Sequence, residues 1–243
     1  VAKFPDGTNY DSDTGDQERL THLVMLTRWP TETWNDLSAR ALYQAERLHN
    51  AQKEDPTAIK VILSASVLDE VIARRASGDK IIGGLLATEG SHPLKGDVAN
   101  IAVLRDAGYR MMGLQHFFDN ELGGSLHGIS RAGLTDFGKQ AVRQMDRQGI
   151  IIDLAHSSPK VVDDTLELVT RPVVVSHTGV KGACDTARNI SDELMKRIAE
   201  KGGVIGLVHW EAAVCKTTPG RVVASNHYAI ELLGEDHVAL GSA

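Results

Sequence analysis

Short apolar runs alternate with amphipathic segments along most of this chain, and that alternation limits the fold more than any other feature. The runs Ile81–Thr88, Tyr109–Leu114, Ile150–Ala155, Pro172–Ser176, Val204–Val208 and Val238–Gly241 are each of strand length and bounded by turn residues. None alternates polar with apolar positions, which is the pattern of strands buried on both faces. Between them lie the helical segments Val98–Asp106, Asp136–Gln148, Pro159–Val169, Asp192–Glu200 and Arg221–Leu233. Thr135 and Ser191 stand where helix N-caps belong, Pro159 follows Ser158 at a first turn, and Gly149 and Gly202 close helices. Strand-then-helix repetition demands parallel strands joined by crossover helices. Upstream, the spacing of Trp34, Leu37, Ala41, Leu42, Ala45 and Leu48 predicts a helix over Thr33–Ala51. A strand over Lys60–Leu63 and a helix over Val67–Ala76, with Ser66 as its N-cap, follow.

What terminates each run carries the chemistry. The runs stop in turn on Glu89, His116, His156, His177 and His209. In an eight-stranded α/β barrel the C-terminal strand ends meet at one mouth, where catalytic residues sit. An open doubly wound sheet would instead spread them along a crevice, usually with a glycine-rich phosphate loop. The chain has no G-x-G-x-x-G sequence. The expected fold is therefore α/β, a (β/α)8 TIM-type barrel. A lone strand-end histidine is more often structural than a ligand. Four in register with a glutamate reverse that, because several imidazoles and a carboxylate in one mouth are costly unless something pairs them. A divalent cation is the natural partner, and imidazole with carboxylate favours zinc. His22, His49, His127, His227 and His237 read as surface or capping residues, while His92, close after Glu89, stays open.

Composition removes other classes. With a net charge of −6 and no basic stripe, the chain is not expected to bind nucleic acid. No apolar run reaches the roughly 20 residues that span a bilayer. Residues 1–243 read as a single catalytic barrel domain, 1–32 being an irregular lead-in. Cys184 and Cys215 are either free thiols or one disulfide.

The order and spacing of several blocks resemble the membrane (renal-type) dipeptidases, peptidase family M19, in their bacterial branch. The blocks are ATEG at 87–90, GYRMMGLQHFFDNELGGSLHG at 108–128, GLTDFGKQAV at 133–142, GIIIDLAHSS at 149–158, RPVVVSHTG at 171–179, ARNISD at 187–192 and GGVIGLVHW at 202–210. RWPTETW at 28–34 resembles the family more loosely. The resemblance implies a zinc-dependent dipeptidase with two zinc ions per site and a dipeptide substrate, D-configured C-terminal residues included. It casts Glu89 as the bridging carboxylate and His156 and His177 as ligands of one zinc. It casts His116 as the catalytic residue that contacts the scissile carbonyl, and Arg188 as the anchor of the substrate carboxylate. Cys184 and Cys215 resemble positions that are disulfide-bonded in extracellular members, which favours an exported or periplasmic protein over a cytoplasmic one. A homodimer is compatible with all of this. His209 inherits no ligand role and is expected to be structural or part of the pocket wall.

Two family features are missing. No H-x-D pair, which would ligate the other zinc, occurs in the sequence, and Ala243 stands where a proton-handling aspartate is expected. The expectation is thus an incomplete barrel, without its first strand and C-terminal end, and poor hydrolysis by these 243 residues alone. Two other functions compete. One is a metal-dependent amidohydrolase-like barrel acting on a cyclic amide or lactone, against which Arg188 argues. The other is a non-catalytic barrel with a degraded metal site, which metal content would separate.

Overall fold

The computed structural model describes residues 21–242. After a short helix α1 (Thr21–Leu26), α2 (Leu37–Glu54) begins where Asp36 accepts a hydrogen bond from the Ala39 N–H. The expected lead-in is thus helical over α1, while residues 1–20 lie outside the described residues. Strand β1 (Ile59–Val61) and helix α3 (Ala65–Ala76) follow. Ser64, not Ser66, caps α3 by accepting from the Val67 N–H, because the helix starts two residues earlier than its apolar periodicity suggests.

The run expected as one strand over Ile81–Thr88 divides at Leu85 into β2 (Ile82–Gly84) and β3 (Leu86–Thr88). The two halves pair differently: β2 lies parallel to β1, and β3 opens the main sheet. That sheet continues through β4 (Tyr109–Gly113), β5 (Ile151–Asp153), β6 (Val174–Thr178), β7 (Val204–Leu207) and β8 (Val238–Leu240). Its strands are all parallel and follow chain order, the arrangement of a barrel wall. Among the described residues the wall does not close.

Helices α4 (Asn100–Asp106), α5 (Asp136–Gln148), α6 (Pro159–Leu168), α7 (Asp192–Glu200), the short α8 (Glu211–Val214) and α9 (Pro219–Leu233) complete the chain. Thr135, Ser158 and Ser191 each cap the following helix through a side-chain oxygen, and Gly149 ends α5 in the left-handed conformation. The helices turn Val142, Met145, Val161, Leu166, Met195 and Ile198 onto strand residues such as Met112, Ile152, Val175 and Ile205, forming the main core. Each fully buried side chain of this size stabilises the fold by about 1.5–3 kcal/mol. The core holds the strands rigidly, so residues just past their C-terminal ends are held on one rim.

Candidate metal centre

Glu89 follows β3, His116 comes three residues after β4, His156 three after β5, and His177 is the fourth residue of β6. Gly90 lets the chain turn at the first of these: its φ is +84°, and a Cβ there would lie 2.6 Å from His92 Nδ1. His156 itself adopts a left-handed φ of +64°, an unfavourable state for a residue with a Cβ. Its carbonyl accepts from the Leu126 N–H at 2.7 Å, while the neighbouring Ser125 hydroxyl donates to the His116 carbonyl at 2.6 Å. That conformation aims the ring inward.

The side chains converge. His156 Nε2 and His177 Nε2 are 2.8 Å apart, and each lies 3.2 Å from Glu89 Oε1. His116 Nε2 approaches the same oxygen at 3.5 Å. Ligand atoms of Glu89, His116 and His156 all fall within 4.8 Å of one another. Both strand histidines are buried, whereas the Glu89 carboxylate is half exposed and opens the cluster to solvent.

The neighbouring imidazoles of His156 and then His177 hold the Glu89 carboxyl well below the usual carboxylate range, although burial works against them. Burial pushes the His156 imidazole down to about 3, opposed by Glu89. It likewise lowers His116 and takes His127 to about 4. At neutral pH His116, His127 and His156 are therefore neutral, leaving lone pairs beside a carboxylate. A tetrahedral zinc with its usual bond lengths keeps its ligand atoms roughly 3.3 Å apart. The two Nε2–Oε1 separations meet that spacing, and the Nε2–Nε2 separation is a little tighter. The residues present thus fit a bound divalent metal.

The model of the membrane dipeptidase family, peptidase family M19, matches residues 16–243. The chain belongs to this family. An uncharacterized protein of the pqqA 5′ region in Klebsiella pneumoniae is 28% identical over 197 residues, covering 76% of this chain and 71% of that one. An uncharacterized dipeptidase of Schizosaccharomyces pombe is 28% identical over 183 residues, 72% of this chain and 44% of that one. Among solved structures, an amidohydrolase from Pseudomonas aeruginosa superposes with a TM-score of 0.72 at 22% identity, over 82% of this chain and 61% of that one. A metallopeptidase from Rhodobacter sphaeroides, liganded with a phosphinate mimic of L-Ala-D-Ala, gives 0.69 at 25% identity, over 82% and 59%. The chain therefore spans about three fifths of the length of these two structures.

Around the M19 cluster the structure places residues that the sequence singled out and others that it did not. Arg188 is buried behind His177, where it donates to the His177 carbonyl at 2.8 Å and to Thr178 Oγ1 at 3.5 Å. Its guanidinium carbon lies 5.3 Å from the Trp210 ring centroid. Burial lowers Arg188 to about 10, with Glu89 and Asp153 opposing the shift. Cys184 and Cys215 form a disulfide with Cα atoms 5.7 Å apart, joining the loop that carries Arg188 to the end of α8. His209 is exposed, and its neighbour Trp210 is the residue that reaches Arg188 and His177.

His127, read from sequence as a surface or capping residue, packs 5.5 Å from the His156 ring and 5.6 Å from Phe117. The loop after β4 folds back over the mouth, since Asp119 accepts from the Ser125 and Ser130 N–H groups. Asp153 was also missed, although a carboxylate inside the apolar run Ile150–Ala155 is a signal, because it must find donors when buried.

Proposed function

We propose that this cluster is the active centre of a dipeptidase, in which Glu89, His156 and His177 hold zinc and Glu89 is shared with a second zinc. The convergence of the three ligand atoms at 2.8–3.2 Å carries the reading. When bound, zinc supplies Lewis acidity, which polarises a carbonyl and lowers the pKa of water toward neutrality. His116, neutral and beside the carboxylate, donates an N–H to the oxygen that gains charge as the peptide carbonyl becomes tetrahedral. Arg188 anchors the substrate's terminal carboxylate. Its buried Nε has no hydrogen-bond partner among the described residues, and the planar guanidinium fork suits a carboxylate.

The phosphinate mimic of L-Ala-D-Ala in the Rhodobacter sphaeroides metallopeptidase supports a small dipeptide with a D-residue at its C-terminus as substrate. The disulfide supports an exported protein. Calorimetric zinc titration of the metal-stripped protein is expected to show uptake that Glu89→Gln and His156→Ala weaken or abolish. L-Ala-D-Ala hydrolysis by the natural protein is expected to fall in the same variants. Absence of zinc uptake by the wild type overturns the metal centre. Zinc uptake without hydrolysis of any dipeptide overturns the dipeptidase.

A further inference from the structure

We propose that Asp153 and Ser176 are positioning residues that fix His177 as its Nδ1–H tautomer, so that Nε2 presents a lone pair to the metal. The inference rests on the reading of His177 as a ligand. Asp153 ends β5 and pairs with Val174 of β6, which puts Ser176, two residues on, on the same face. Its Oδ1 accepts from the Ala155 N–H at 3.0 Å and the Ser176 N–H at 2.9 Å, and its Oδ2 accepts from the Ser176 hydroxyl at 2.5 Å. The same hydroxyl oxygen lies 2.8 Å from His177 Nδ1.

The hydrogens along this chain can be assigned. Both oxygens of Asp153 stand as acceptors, Oδ1 from two backbone N–H groups and Oδ2 from the Ser176 hydroxyl, so the hydrogen in the Oδ2–Oγ contact belongs to serine. A serine hydroxyl has one hydrogen. With that hydrogen committed to Asp153, Oγ faces His177 Nδ1 as an acceptor, and Nδ1 must carry the proton. In the neutral form that metal ligation requires, the imidazole then has its lone pair at Nε2, the atom that points at Glu89 and His156.

Two consequences follow. Between His156 and His177, only His156 then has a hydrogen to give, across the 2.8 Å contact to His177 Nε2 or to Glu89 Oε1 at 3.2 Å. The His177 lone pair faces the same carboxylate oxygen at 3.2 Å. A cation among these acceptors would take the place of that single hydrogen, and the relay therefore keeps the His177 lone pair available to one. His156 differs, since its Nδ1 is buried without a hydrogen-bond partner among the described residues. The tautomer is thus set at His177 by protein groups and at His156 by its surroundings at Nε2 alone.

The test uses metal-free protein labelled with ¹⁵N-histidine, whose long-range ¹H–¹⁵N correlations distinguish the two neutral tautomers. Wild-type His177 is expected to be protonated at Nδ1. Ser176→Ala is expected to shift it toward the Nε2–H form and to weaken zinc binding by roughly 10–100-fold, as loss of such outer hydrogen bonds does. Ser176→Thr, which keeps the hydroxyl, is expected to restore both, with melting curves confirming that each variant folds. An Nε2–H tautomer in the wild type overturns the proposal, and so does a Ser176→Ala protein with unchanged tautomer and zinc affinity. The expected tautomer in a wild type that takes up no zinc leaves the relay standing and overturns the metal centre instead.

Discussion

His156 and His177, 21 residues apart in sequence, bring their Nε2 atoms within 2.8 Å at the ends of adjacent strands. Neighbouring strands bring the two residues together, the left-handed turn at His156 completes the contact, and Glu89 arrives on the same rim from two strands beyond that of His156. If the triangle holds zinc, the metal stabilises the folded chain by mass action, by about 4 kcal/mol at a thousandfold excess over Kd. Addition of EDTA is then expected to lower the melting temperature of the wild type and to leave that of Glu89→Gln nearly unchanged. Identical wild-type melting curves with and without chelator would contradict this.

Arg188 predicts a separation of binding from chemistry. Lysine at this position keeps a positive charge but loses the planar fork and the stacking on Trp210. Arg188→Lys is expected to raise KM for a dipeptide about tenfold or more, equivalent to roughly 1.4 kcal/mol of lost binding per factor of ten, and to change kcat less. The diagnostic comparison is a dipeptide amidated at its C-terminus, which should be a poor substrate for both proteins. Equal discrimination between acid and amide by wild type and variant would remove the carboxylate-anchoring role.

Gly138 predicts a reversal of an ordinary rule. Glycine inside a helix is normally less stable than alanine by about 1 kcal/mol. Here a Cβ would lie 2.0 Å from the Leu122 carbonyl oxygen, where the loop after β4 meets α5. Gly138→Ala must therefore push loop and helix apart and is expected to destabilise by about 1–3 kcal/mol, in the range of an overpacked core. Urea unfolding checks it, and a stabilised variant would show that the loop yields freely.

The sequence made the cluster readable because ligands at strand ends leave a mark: an apolar run that stops on Glu89, His156 or His177 places a donor on the rim whatever the loops do. It could not place His127, whose position depends on the loop after β4 folding back through Asp119. Nor could it divide Ile81–Thr88, since an unbroken apolar run looks the same whether its halves join one sheet or two. Ser176 was hidden for another reason. Its role lies in one hydroxyl hydrogen shared between residues on two strands, and no spacing within either strand reports that.

Asp36 predicts a stability that depends on acid. Its carboxylate both caps α2 at the Ala39 N–H and pairs with Lys95 at 2.8 Å. The hydrogen bond from Lys95, then that from the Ala39 N–H, lowers its folded pKa below the ordinary value. Stability from this shift is complete above the unfolded pKa of about 3.9. It is lost as pH falls through the still lower folded value, because the unfolded chain takes up the proton first. Asp36→Asn keeps the capping oxygen but not the ion pair, and since the pair is exposed it is expected to cost less than about 1 kcal/mol at pH 7. It should also flatten the acid limb of the stability curve. Asp36→Ala removes the cap as well and is expected to cost about 1 kcal/mol more. Denaturant unfolding at pH 7 and pH 3 separates the two contributions, and equal losses in both variants at pH 7 would refute the cap.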